Sequence, residues 1–217
     1  MNGRIHFPGN PWPNGHAVET FAWTARLVPE RGLVFDLHLV SASYYAEDTP
    51  SEEDVEDDED EGDWPSRIVW RNYHRCSLSS TKWSDDGFVV GTRDAPFDAA
   101  LLAHHTFVVD PLAPGETADD RELDDAPIGV YLLGHDSVAD HRITFMRRDD
   151  GLYDLAWTGR IALTYAGGTE YKYTFTAQIP GIALPAVTWP KALSRADAEA
   201  ELARVSRGFR LVDRSGS

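Results

Sequence analysis

The sequence predicts a mainly β fold, an antiparallel β-sandwich or incomplete β-barrel with one C-terminal amphipathic helix. Three observations predict it. Apolar residues recur at alternate positions in most segments, rather than three and four apart. Clusters rich in Gly, Pro, Asn and Asp separate those segments. Ring side chains are abundant, with seven Trp, eight Tyr and nine Phe, and these suit the pleated, half-buried surface of a sheet. Hydrophobic residues make up 42% of the 217 positions, enough for a substantial core. The length suits one β-rich domain over residues 1–217.

The elements follow in order. Residues 8–15, PGNPWPNG, are turn-forming throughout. Phe21, Trp23, Ala25 and Leu27 then alternate with smaller or polar neighbours. After a turn at 29–32, Leu33, Phe35, Leu37 and Leu39 take one face, and Val34, Asp36, His38 and Val40 the other. The pair reads as a β-hairpin with one buried side. Residues 67–78 alternate again, and 86–92 read as a short strand entered through Asp86-Gly87. Asp94 with Pro96 predicts a helix start, running to about residue 103. A strand at 104–109 precedes a loop at 110–127, rich in Pro, Asp and Glu, with room for one helical turn. Residues 128–133, 141–147, 153–165 and 171–179 read as consecutive strands. Ser194 and Asp197 form a capping-box-like pair. Ala198, Leu202, Val205 and Phe209 recur at helical spacing and Gly208 is a stop, so the helix is expected at about 194–207. Residues 214–217 are expected to fray.

One internal echo stands out: AWTAR at 22–26 and AWTGR at 156–160. A duplication would place two similar hairpins in the fold. A single pair lacks the recurrence at fixed period that marks a repeat, which favours chance likeness.

Charge is unevenly placed. The formal net charge is −16, and residues 47–63, EDTPSEEDVEDDEDEGD, hold twelve acids and no Lys or Arg, leaving −4 for everything else. This composition is that of a solvated, flexible acidic loop. It disfavours non-specific attraction to nucleic acid or an anionic membrane and permits a basic protein partner. No run approaches the length of a membrane span. Cys76 is the single cysteine, so no intrachain disulfide forms, and the start of the chain has no apolar leader. A cytoplasmic location is expected.

The alternation over 67–78 carries the most chemistry. One face holds Ile68, Trp70, Asn72, His74, Cys76 and Leu78; the other holds Arg67, Val69, Arg71, Tyr73 and Arg75. Asn72 and His74 are candidates to line a polar pocket, although polar groups in cores are more often paired structurally. Arg67, Arg71 and Arg75 are candidates for a carboxylate or anion site. A solvated face, neutralised by the neighbouring acids, accounts for them more simply. Cys76 with His74 as a catalytic pair lacks a third orienting group, and most lone cysteines behave as small buried hydrophobes.

GHDSVADH at 134–141 gathers His135, Asp136, Asp140 and His141, but the spacing matches no zinc signature, and an exposed polar hairpin explains it. His104-His105 cannot chelate as a unit, because strand neighbours point to opposite faces. Anchoring a calcium-loop pattern on Gly62 puts Ile68 where a Glu is required. The chain has no P-loop, GxGxxG, GxSxG or paired CxxC, and no cofactor or metal is expected. The expected function is therefore non-catalytic: a binding protein whose acidic loop engages a basic partner, as an inhibitor or immunity protein does. The alternative is a small-ligand binder or enzyme with a pocket inside the β scaffold, lined by Trp23, Trp70, Trp157 and His74. A filled core with an ordered acidic loop favours the first, and a deep cavity with several convergent polar groups the second.

Overall fold

The computed structural model describes residues 2–46, 64–70, 73–81, 87–122 and 126–212. The acidic segment 47–63, Arg71, Asn72, Asp86 and residues 214–217 lie outside them, and with them the expectations of a flexible loop and a frayed end.

The chain is mostly β, built on a large curled antiparallel sheet that forms a half-barrel, with one helix near the C-terminus. Its strands are β1 (Arg4–His6), β2 (His16–Val28), β3 (Gly32–Ser41), β4 (Ser77–Ser79), β5 (Phe88–Gly91), β6 (Phe97–Asp98), β7 (Thr106–Val109), β8 (Gly129–Tyr131), β9 (Ser137–Arg147), β10 (Tyr153–Ala162), β11 (Tyr173–Ile182), β12 (Val187–Thr188) and β13 (Ser206–Arg207). The order across the sheet is β7-β9-β10-β11-β1-β2-β3-β4-β8, with β5 also beside β3 and β12 beside β2. The short β12–β2 and β13–β6 pairs are parallel.

The long hairpins are where alternation predicts them. Trp23, Ala25 and Leu27 on β2, and Leu33, Phe35, Leu37 and Leu39 on β3, all point into the core. The other face of β3 is less solvated than the pattern implies. Asp36 is buried there, accepting hydrogen bonds from Arg26 Nε at 2.8 Å and Ser80 Oγ at 3.4 Å. The two copies of the AWT echo lie in β2 and β10, and both tryptophans are inward.

Two stretches correct the sequence reading. Residues 67–78 are not one strand: Arg67–Trp70 is a single helical turn, α1, and pairing begins at β4. The reason is a pair of tryptophans. Trp64 and Trp70 are both buried, and Trp70 Nε1 donates to the Trp64 carbonyl at 3.0 Å. Six residues of strand would separate them by about 20 Å, so the chain folds back instead. The helix expected from Asp94 begins later. Thr92 and Ala95 close a turn, β6 follows, and Asp98 caps a 3-10 helix over Ala99–His104 by accepting from Ala100 N at 2.9 Å. The C-terminal helix α2 spans Arg195–Val205, with Ser194 as N-cap accepting from Asp197 N at 3.2 Å. Phe209 lies beyond it, because Gly208 at φ 77° turns the chain.

Candidate functional site at the roots of the acidic segment

Ala46 and Trp64 are the described residues that bracket the acidic segment, and both ends of that segment are tied to one aromatic cluster. On the entering side, Tyr44 is buried and stacks on Trp12 with ring centroids 5.9 Å apart. Tyr45 meets Trp12 edge-on at 5.2 Å. On the leaving side, Trp70 packs edge-on against Tyr44 at 4.9 Å and Trp12 at 5.6 Å. Trp64 stacks on Tyr173 of β11 at 4.2 Å. Such ring pairs each add about 0.5–1.5 kcal/mol beyond their buried area.

Hydrogen bonds fix the two ends to each other and to the scaffold. Tyr45 Oη donates to the Arg67 carbonyl at 3.1 Å, and Tyr44 N donates to the His74 carbonyl at 2.9 Å. Tyr44 Oη donates to the Leu132 carbonyl at 3.1 Å, and Trp64 Nε1 to the Pro8 carbonyl at 2.8 Å. The PGNPWPNG loop inserts Trp12 into this cluster. Gly15, at φ 64°, ends the loop where a Cβ would lie 2.4 Å from the Ile5 carbonyl, so only glycine fits there without movement.

A cavity of about 140 Å³ opens beside the cluster, lined in part by Trp12, His16, Tyr44 and Arg67. The Arg67 guanidinium sits 5.6 Å from the Trp12 ring centroid, a cation–π arrangement. His16 is buried between the rings of Trp12 at 5.2 Å and Tyr44 at 4.9 Å, with its Nε2 3.5 Å from Asn10 Nδ2.

Of the sequence-predicted site residues, Arg67, His74 and Arg75 are among those described. Arg67 belongs to the aromatic cluster. Arg75 is exposed and pairs with Glu19 on β2 at 2.8 Å, an arrangement that contributes little to stability. His74 is exposed, and Arg71 and Asn72 lie outside the described residues. The strand face that would align the three arginines is absent at Arg67–Trp70. The sequence reading did not single out Trp12, His16 and Tyr44 as site residues. Its available signals were a tryptophan between two prolines and a Tyr-Tyr pair just before the acids.

The remaining candidates lie elsewhere in the fold. Cys76 is fully buried and free, and burial pushes its thiol pKa well up, so the unreactive thiol persists. Within GHDSVADH, His135 is exposed against the Tyr131 ring. Asp136 is buried and accepts from Leu133 N at 2.9 Å and Tyr165 N at 3.3 Å. Burial raises its pKa above the ordinary carboxylate value, and those hydrogen bonds oppose the rise. His141 is fully buried and accepts from Trp157 Nε1 through Nδ1 at 3.2 Å, which assigns its proton to Nε2. Burial, helped by the charge of Arg121, lowers its pKa to about 3. Among the described residues, no group of three or more His, Cys, Asp or Glu side chains is placed to hold a metal ion.

His74 is exposed, and Trp23, Trp70 and Trp157 are buried. Each is packed among other rings: Trp23 stacks on Phe145 at 4.3 Å, and Trp157 meets Phe175 edge-on at 5.6 Å. Comparison with protein-family models, curated proteins and solved structures returns no match for this chain. Among the described residues, no helix is long and apolar enough to cross a membrane.

Proposed function

We propose that this chain is a non-catalytic, cytoplasmic binding protein that displays the acidic segment 47–63 to a basic protein partner, as inhibitors and immunity proteins do. One observation carries the reading: twelve carboxylates are concentrated in a stretch whose two ends are fastened to one buried aromatic cluster. The residues that precede and follow the charged stretch, Tyr45 and Trp64, are thus held on a packed scaffold. A concentrated field of one sign speeds encounter with an oppositely charged surface and weakens as salt rises. Capture from lysate at low salt should enrich basic proteins, and about 0.5 M salt should release them, because the Debye length is then only a few Å. Deleting residues 50–62 should abolish the capture. Retention of the same partners by the deletion variant at high salt would remove the acidic segment from the interface.

A second reading, a small-ligand site, is favoured by the cavity beside Trp12 and Arg67. Its size suits a small anion such as a short carboxylate rather than a drug-sized molecule. Titration with acetate and propionate should then shift the NMR signals of Trp12 and His16 saturably; unmoved signals reject it.

A further inference from the structure

The half-barrel has, among the described residues, a seam between β5 and β7. Among the described residues, β5 pairs with β3 alone and β7 with β9 alone. Residues of both strands line one groove of about 620 Å³, to which Phe88, Val90, Phe97, Phe107, Val109 and Asp110 contribute. Its floor is aromatic, with Phe107 5.5 Å from both Phe88 and Phe97, ring centre to ring centre. On its two strands, Val89 and Val108 are 41% and 50% exposed, unusual for β-branched side chains in a core-forming sheet. Asp110 ends β7 at φ 55°; one carboxylate oxygen pairs with Arg121, and Oδ2 is buried with no partner among the described residues.

We infer that this seam binds an extended segment of a partner protein by strand addition, and that the segment alternates apolar residues with a basic residue at the Asp110 end. Three features select that occupant. Backbone edges on both sides of a groove are satisfied by an extended chain, which pairs through its own amides. The phenylalanine floor accepts every second side chain, the period of a strand. The spare carboxylate oxygen of Asp110 and the net charge of −16 both favour a cation there. A second copy is disfavoured, because two chains of this charge repel one another. The inference uses no residue of segment 47–63 and stands apart from the reading above.

The test uses a short peptide of alternating valine and threonine with a lysine at each end. The expected result is saturable binding, with slowed amide exchange confined to residues 88–91 and 106–109. The same peptide N-methylated at alternate positions should not bind, and replacing its terminal lysines by glutamine should weaken it. Val89→Lys with Val108→Lys should weaken the lysine-ended peptide about tenfold or more, since like charges along an edge deter pairing. Four outcomes overturn the inference. The first is no saturation up to millimolar peptide. The second is equal binding of the N-methylated peptide. The third is full protection of both strands in the free protein, which means the chain covers its own seam. The fourth is binding that disappears on deletion of residues 50–62, which transfers the site to the acidic segment and leaves the proposed function in place.

Discussion

Two tryptophan-centred clusters divide the molecule, and they are built to different ends. Around Trp157 everything is sealed: the indole N–H has its acceptor in His141, Phe175 closes one side, and Gly159 leaves no room for a methyl group, since a Cβ there would lie 2.5 Å from the Phe175 ring. Around Trp70 the rings are as closely set, but the cluster borders a cavity, carries the Arg67 cation on its rim and holds both ends of the most charged stretch of the chain. Aromatic packing fills the first region. In the second it also holds the residues that flank the acidic segment, which is where the proposed recognition is placed.

The largest expected effects test whether the two clusters differ in this way. Trp157→Ala should lower unfolding free energy by about 3–5 kcal/mol, the usual cost of emptying a large core site, and strand the His141 ring beside the void. It should leave partner capture intact wherever the protein stays folded. Trp70→Ala should cost a similar amount, and it should also weaken capture by loosening the tether. Chemical denaturation read beside binding separates the two. Equal binding by both folded variants would break the comparison.

A smaller effect follows from His141. Its folded pKa of about 3 lies below the ordinary histidine value, so between those values the unfolded chain binds the extra proton. Stability is therefore full above about pH 6.5 and falls as pH drops, by about 1.4 kcal/mol per unit at most. The window from pH 6.5 to 5 lies above most carboxylate titrations, and the difference between wild type and a His141 variant isolates this slope from the other histidines. His141→Phe should flatten it there, even though the variant is less stable at pH 7. An unchanged slope would show that His141 is not buried neutral.

The smallest effect is expected for the acidic segment itself. Its lone aliphatic residue other than proline is Val55, so replacing residues 50–62 by a short Gly/Ser linker should leave the thermal midpoint nearly unchanged or raise it by relieving self-repulsion. A fall of more than about 10 °C, several kcal/mol for a protein of this size, would mean that the segment is part of the packing.

What was legible in the sequence follows from how locally each feature is determined. The β2–β3 hairpin was legible because Leu33, Phe35, Leu37 and Leu39 alternate without interruption and a Gly-containing turn precedes them. The α2 cap was legible because Ser194 and Asp197 act within one turn. Residues 67–78 were misread because alternation there coincides with a contact, Trp64 to Trp70, that only the folded chain makes. β1 was missed because three residues carry too little pattern. The aromatic anchor was illegible for the same reason on a larger scale: Trp12, Tyr44, Trp70 and Tyr173 come from four separated segments, and no spacing rule connects them. The arginines were legible as residue types, but Arg67 stands on a helical turn, which strand alternation did not foresee.

We propose that the charge of segment 47–63, rather than a pocket, is what this protein offers a partner. This is tested most directly by replacing the twelve acids of segment 47–63 with Asn and Gln, keeping the length and both anchors, and measuring affinity for a captured basic partner as salt is raised. The wild type should bind tightly with steep salt dependence, and the neutral variant weakly, with little change as salt rises. Equal affinity and equal salt dependence in the two proteins would contradict it.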